Sequence, residues 1–368
     1  MHNGRFENLD VLRGIAALAV VFVHTVGLSD VPVPAATKVW QGLLSLAVPM
    51  FFALSAFSLA YRYEGGLGSY AELREYALRR FFRIAPLFYF MLALGIGRSF
   101  YKFAHLPSAN ELFLNLTFLF GFSPGHYQSL VPAGWSLGVE MMFYAVLPVI
   151  LLAVRGVGSA ALATGLALGA GFAAYEAALV LNTSFKILNF VSCLANFMGG
   201  LTAYFAYKKF AERSAAARQR ISWICLSLAA AIWIAYYFFP TTFGSTGSYG
   251  WRYFISAAFP LIILAGALGD WGRVVNPVTL RLGLWSYSIY LVHPFILNAL
   301  IRPTRQEIYD ALAGLPVWVP FTVSTALIYV CVICCSYLTY RWIELPGERL
   351  GRRLSRPRPP QPALAPAE

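Results

Sequence analysis

The sequence predicts an all-α polytopic membrane protein of about ten transmembrane helices with both termini in the cytoplasm. Three observations carry that prediction. Of the 368 residues, 59% are hydrophobic and only 12% charged, whereas an ordinary soluble protein is about one-quarter charged. Apolar stretches of about 20 residues, the length that crosses a hydrocarbon core, recur along the chain. The basic surplus, a net charge of +12, collects in alternate connections, as Lys and Arg do when they are retained in the cytoplasm. A soluble globular enzyme is thereby excluded, and nucleic-acid binding ranks far below membrane topology as the reason for the charge.

Apolar runs bounded by charge, Gly or Pro place helices near 9–29, 42–62, 84–103, 135–154, 159–181, 187–207, 221–240, 251–269, 282–301 and 317–339. The first run follows basic residues as a signal peptide does. No small-residue cleavage site follows it, and Arg13 and His24 interrupt it, so it reads as an uncleaved span. Between the second and third spans, Tyr70, Leu73, Ala77, Leu78 and Phe81 alternate with Arg74, Arg79, Arg80 and Arg83, the pattern of an amphipathic interfacial helix running into the third span. The stretch 104–134 is a long external connection, read either as a lid or acceptor platform or as irregular chain. With both ends inside, 21 of the 28 Lys and Arg residues fall on the cytoplasmic side, and moving one span out of phase destroys the contrast.

Residues 1–340 therefore form one integral membrane domain. Residues 341–368 are a basic, Pro-rich cytoplasmic tail ending RRLSRPRPPQPALAPAE, too poor in large apolar side chains to fold. The five cysteines lie inside apolar segments, where a thiol behaves as a small hydrophobe. Cys331, Cys334 and Cys335 share a helix face but lack a fourth ligand for zinc, so no metal is expected.

Ionisable groups at membrane depth cost a few kcal/mol, and each is a functional candidate. Arg13 and His24, eleven residues apart on the first span, share one face about 16 Å apart. Arg13 suits an anionic head group, or else anchors the helix at the interface beside Asp10. His24 suits a general base, or else an interhelical hydrogen bond. Counting from helix ends puts Glu140 of the fourth span at the depth of His24, where a carboxylate would orient the imidazole; packing against an Arg or a serine is the competing use. The ninth span, SYSIYLVHPF, offers Ser286, Tyr287, Ser288, Tyr290 and His293 to a polar interior. There Pro294 frees a backbone carbonyl for a neighbour, and His293 either lines a cavity or bonds between helices.

Six segments, in order, match one pattern: RGIAALAVVFVH, FFALSAF at 51–57, RRFFRIAPLFY at 79–89, PAGWSLGVEMMFYAVLP, SYSIYLVHPF and RWIELPGERLGRR. Along nearly the entire chain the sequence resembles the bacterial acyltransferase-3 family of integral membrane O-acyltransferases, and its single-domain branch. The resemblance implies transfer of an acyl group, commonly acetyl, from cytoplasmic acyl-CoA to a hydroxyl of a cell-envelope glycan or similar acceptor, in the bacterial inner membrane. It places the family's Arg, ten residues, His motif on Arg13 and His24, its Arg-x-x-Arg motif on Arg80 and Arg83, and its Trp-Ser-Leu-x-Val-Glu motif on Trp135, Ser136, Leu137, Val139 and Glu140. It departs at Ala56, where the family usually has glycine, and at Val292, where it often has Trp.

The expected division of labour follows. His24 and Glu140 are catalytic; Arg13, Arg80 and Arg83 hold the phosphates of acetyl-CoA or another acyl-CoA; Trp135, Ser136, Tyr287, Tyr290 and His293 line the cavity. The expected partners are acyl-CoA, the hydroxyl acceptor and the bilayer, with no nucleic acid and with a homo-oligomer left open. A transporter or flippase for a glycan or lipid is the alternative, although no matching pair of interrupted helices marks inverted repeats.

Overall fold

The structure, a computed structural model, describes residues 6–181, 184–239, 242, 248–298 and 302–355. In chain order the helices are α1 (Glu7–Gly27), α2 (Ala35–Leu44), α3 (Ala47–Tyr63), α4 (Tyr70–Phe103), α5 (Ala109–Thr117), α6 (Trp135–Ala153), α7 (Val157–Ala177), α8 (Phe185–Leu188), α9 (Phe190–Phe210), α10 (Ala215–Phe238), α11 (Tyr249–Ser256), α12 (Ala258–Leu268), α13 (Pro277–Leu284), α14 (Ser286–Ile296), α15 (Arg302–Ala311), α16 (Trp318–Thr339) and α17 (Leu345–Ser355). No strand occurs among the described residues. Nine helical stretches among them are long and apolar enough to cross a membrane. The protein is an all-α, multi-pass membrane protein.

Burial follows position in the bundle. Helix α1 packs against α2, α3, α12, α13, α14 and α16, with Ala17 and Val21 wholly covered. Phe197 of α9 stacks on Phe52 of α3 at 4.5 Å and on Phe143 of α6 at 4.0 Å between ring centroids. Next to this stack a Cβ on Gly200 would lie 2.1 Å from the Ala53 carbonyl oxygen, so the α3 and α9 backbones touch. That contact falls one turn from Ala56, which is fully buried: the glycine that permits close approach stands on the other helix. Leu162 and Leu166 on α7, and Trp223, Ile224 and Leu228 on α10, are each more than half exposed. Apolar faces of this extent would drive association in water; against lipid they match their solvent.

The span expected at 282–301 is not among the nine long stretches. Its place is taken by α13 and α14, which meet at Trp285 (φ −89°, ψ 2°); residues 299–301 lie outside the described residues. A Cβ on Gly283 would stand 2.2 Å from the Asp10 carbonyl oxygen, and one on Gly14 would stand 2.9 Å from the Gly283 nitrogen. The α1 and α13 backbones therefore lie in direct contact beside Arg13, and the chain bends before continuing along α1 as α14. Gly283→Ala is expected to lower the unfolding midpoint in detergent, at a cost of about 1–3 kcal/mol for overpacking. A wild-type midpoint would show that α13 can move off α1 freely.

Two connections take definite form. The amphipathic segment runs into the third span as expected, the two forming one helix, α4, 34 residues long and opened by a reciprocal Ser69–Glu72 capping box. The stretch 104–134 is ordered: α5 is capped by Ser108 and Glu111, and buried Asn115 accepts from Ser129 Oγ at 2.7 Å and from the Leu130 nitrogen at 3.0 Å. Hydrogen bonds from the backbone and side chain of Ser108 hold the Glu111 carboxyl below its usual range.

The first part of the expected tail is helical. Residues Tyr340–Glu344 form a π-helical turn that leads into α17, so 341–355 is helix; residues 356–368 lie outside the described residues. The reason is a stripe of Gly347, Gly351 and Ser355, spaced by four and all buried. A Cβ on Gly347 would meet Pro86 at 2.5 Å, and one on Gly351 would meet Phe82 at 2.6 Å. Basic composition suggested a solvated tail, but the small face lets α17 lie directly on α4.

Candidate active site

Two polar clusters interrupt the apolar interior, one near each end of α1. Toward its N-terminal end, Arg13 donates to Asp10 Oδ1 at 2.7 Å and to Ser58 Oγ of α3 at 2.5 Å. One turn away on α3, Ser55 donates to Glu140 Oε1 at 2.8 Å, and Tyr144 donates to the same oxygen at 2.5 Å. The Arg80 guanidinium lies 6.0 Å from the ring centroids of both Tyr63 and Tyr144, and its buried Nε has no hydrogen-bond partner. Arg83 lies 5.7 Å from the Tyr287 ring centroid and is paired with Glu344 and Glu348. Ser288 Oγ donates to the other Glu344 oxygen at 2.7 Å.

The second cluster is built by α1 and α14. Pro294 has no N–H and leaves the Tyr290 carbonyl free within the helix; His293 Nδ1 lies 2.7 Å from that oxygen. Only a donor satisfies a carbonyl, so His293 carries its hydrogen on Nδ1 and presents Nε2 as an acceptor. That Nε2 is 3.2 Å from His24 Nδ1, which also lies 3.0 Å from the Val20 carbonyl oxygen. Facing two acceptors, His24 Nδ1 bears the hydrogen, and His24 Nε2 keeps the lone pair a general base needs. His24 borders a cavity of about 230 Å³ with Thr25, Asp30, Asn298 and Arg305 among its walls.

Several placements differ from the expected ones. Glu140 is bonded to Ser55 and Tyr144, and the side chain beside the His24 imidazole is His293. Counting from helix ends assumed that all ends share one plane. Ser55 and Ser58 set the true level instead, leaving Glu140 about 4.5 Å along the bundle from Arg13, against about 16 Å for His24. Arg83, expected to hold a phosphate, is committed to two carboxylates; among the described residues Arg80 is the member of the motif with no carboxylate in ion-pair range.

The five residues expected as cavity lining do not border the cavity beside His24. Ser136 donates to Tyr290, whose hydroxyl donates to the Ala133 carbonyl at 2.7 Å. Tyr287 donates to the Ile84 carbonyl at 2.7 Å, Trp135 packs edge-on against Phe52, and His293 lies behind His24. Tyr287 thereby bonds α14 to α4, and Ser136 and Tyr290 bond α14 to α6. Sequence reasoning missed Ser55 and Ser58, though their spacing of three places both on one helix face. It also missed Glu344 and Glu348, whose spacing of four in a basic segment was a legible sign of a cationic partner.

Comparison with known proteins decides the family. A family model for the acyltransferase domain of the acyltransferase-3 family matches residues 6–341. The chain belongs to the acyltransferase-3 family. This acyltransferase is also similar to "Putative acetyltransferase ORF330" of Acidianus two-tailed virus, 28% identical over 289 residues that cover 77% of this chain and 80% of the viral protein. No solved structure matches. Among its described residues the acyltransferase thus has an imidazole pair where α1 meets α14 and, in the other cluster, the Arg80 guanidinium with no carboxylate in ion-pair range. Among its described residues no group of three or more His, Cys, Asp or Glu side chains is arranged to hold a metal ion.

Proposed function

We propose that this acyltransferase moves an acetyl or related acyl group from cytoplasmic acyl-CoA to a hydroxyl of a cell-envelope glycan or similar acceptor, in the bacterial inner membrane. Both termini lie in the cytoplasm, with α13 and α14 together serving as the tenth crossing. The observation that carries the reading is the placing of His24 Nδ1 3.2 Å from His293 Nε2 and 3.0 Å from the Val20 carbonyl oxygen, with His24 at the wall of a cavity, an arrangement that favours the tautomer with the lone pair on Nε2.

The chemistry then follows from the two clusters. Arg80, caged by Tyr63 and Tyr144, holds a phosphate of the donor; Glu140 accepts from the Tyr144 hydroxyl and so fixes one wall of that cage. The donor's arm runs toward the other cluster, a distance on the order of 16 Å along α1. His24 Nε2 takes the acceptor's hydroxyl proton while the oxygen attacks the thioester carbonyl carbon. The carbon–sulfur bond breaks, and the departing thiolate receives the proton from the His24 imidazolium. His293 Nε2 accepts from His24 Nδ1 throughout, which steadies the imidazolium.

Acetyl incorporated into envelope glycan, read by mass in cells expressing the protein and absent from vector controls, tests the reading. Glycans unchanged in mass but altered in amount or sidedness would replace it with transport. Within the reading, Arg80→Gln is expected to raise the KM for acetyl-CoA about tenfold, as loss of one charge-assisted contact does, with kcat nearly unchanged. Arg79→Gln is the control, because Arg79 is already paired with Glu75 at 2.7 Å. Equal KM values for the two variants would remove Arg80 from the donor site.

A further inference from the structure

The N-terminal part of α4 and the whole of α17 form a surface that the proposed chemistry leaves unused. Helix α4 has 34 residues, a length of about 51 Å, against about 30 Å for a hydrocarbon core. About 20 Å of it therefore extends past the core, and the excess matches its basic first part, residues 70–83. Helix α17 lies along this part. Gly347 abuts Pro86, Gly351 abuts Phe82, and Arg74 Nη1 donates to the Leu354 carbonyl at 3.3 Å. The two helices are thus antiparallel.

One side of the pair is apolar and uncovered. On α4, Tyr70 is 82% exposed, and Leu73 and Phe81 are exposed as well. On α17, Leu350 and Leu354 are exposed, and Trp342 in the preceding turn is 70% exposed. The contact stripes are Leu78 and Phe82 on α4, and Gly347 and Gly351 on α17. Turning about 100° per residue from these stripes puts Leu73 and Phe81 on the same side of the pair as Leu350 and Leu354. Hydrocarbon covers the exposed leucines of α7 and α10, which lie within spans, but not a segment that continues beyond the core.

The edge of that side is positive. Arg349 and Arg353, four apart, lie on the flank of α17 turned away from α4. Both are exposed, and among the described residues neither forms an ion pair. Arg352, by contrast, is paired with Glu348 at 3.6 Å. Leucines on one side, arginines along its edge and a tryptophan at its start compose a helix that lies in the headgroup layer, where cations meet anionic lipid.

We infer that α17 and residues 70–83 of α4 form a platform seated in the headgroup layer, and that Arg349 and Arg353 bind the phosphates of anionic phospholipid there. In the orientation proposed above the leaflet is the cytoplasmic one; the platform itself does not depend on the acyl-transfer reading. Leu350, Leu354 and Trp342 enter the boundary of the acyl chains. Lipid held in this way keeps α17 on α4, and with it Glu344 and Glu348 on Arg83.

Hydrogen exchange of residues 345–355 in the full-length protein tests the inference, in nanodiscs of phosphatidylcholine alone and of phosphatidylcholine mixed with phosphatidylglycerol. Phosphatidylglycerol is expected to slow exchange in α17 about tenfold or more, and concentrated KCl to reverse the slowing. The double variant Arg349→Gln with Arg353→Gln should lose the slowing. Arg352→Gln should keep it, because Arg352 is already paired. Inorganic phosphate added to the phosphatidylcholine discs should leave exchange unchanged, and Leu350→Ser with Leu354→Ser should exchange faster in both bilayers.

Equal exchange in the two bilayers, full slowing in the double arginine variant, or phosphate acting as well as the lipid would each overturn the inference. So would a dimer in detergent that Leu350→Glu converts to a monomer, since a second copy would then cover the face. Acetyl transfer in the same discs keeps the two readings apart: an inactive protein whose α17 still responds to phosphatidylglycerol loses the acyl-transfer reading and keeps the platform. If the variants fold poorly, the wild type in the two bilayers, with and without KCl and phosphate, decides by itself.

Discussion

His24→Ala is expected to abolish acyl transfer, with a fall of at least about 10²–10⁴ in rate at matched membrane levels, the range that a positioned general base supplies. The variant should remain folded, because His24 sits in the last turn of α1 beside a cavity and its removal leaves no unpaired charge. His293→Phe keeps the ring volume but removes the acceptor for His24 Nδ1. A smaller loss is expected there, about tenfold, together with a displaced pH–rate profile. Glu140→Gln gives the sharpest contrast. If Glu140 oriented His24 as the third member of a triad, it would match His24→Ala in kcat and in pH profile. With Glu140 bonded to Ser55 and Tyr144 instead, its effect should fall on the KM for acetyl-CoA, through the wall of the Arg80 cage. Acetyl transfer from labelled acetyl-CoA, with kcat and KM resolved, separates these outcomes; a His24→Ala enzyme as active as wild type would move the base elsewhere.

Arg83→Met should produce the largest loss of stability. Glu344 is 1% exposed, and its charge is balanced by Arg83 on one oxygen and a hydrogen bond from Ser288 on the other. Removing one member of a buried pair typically costs about 3–5 kcal/mol, because the remaining charge is left uncompensated. The unfolding midpoint in detergent should fall accordingly, and α17, held on α4 through Glu344 and Glu348, should become accessible to protease. The double variant Arg83→Met with Glu344→Gln removes both charges and should recover most of the loss. No recovery would mean that Arg83 matters for a ligand and not for the docking of α17. The π-helical turn at 340–344 brings Glu344 to this position, in keeping with the frequency of such turns at functional sites.

Much of this protein was legible in its sequence, for identifiable reasons. Hydrocarbon imposes one rule on every spanning segment, so runs of apolar residues announced helices without any knowledge of their neighbours. The same rule made Arg13, His24, Glu140 and His293 conspicuous, since a polar group at membrane depth needs a cause. Pro294 was equally readable: a missing N–H frees one particular carbonyl, and His293 is bonded to it.

What could not be read was depth and partnership. Equal distances from helix ends predicted a His24–Glu140 contact, but helices tilt and begin at different levels, and only the packed bundle shows that Ser55 takes Glu140 while His293 takes His24. Charge in a terminal segment suggested a solvated tail, yet Gly347 and Gly351 have no side chains to hold it away from α4. The sequence by itself determined which residues enter the membrane and which of them are polar, because the solvent acts on each segment separately. Tertiary structure alone decided which polar groups meet, because a hydrogen bond is settled within a few tenths of an ångström by the way helices pack, and packing belongs to the whole chain.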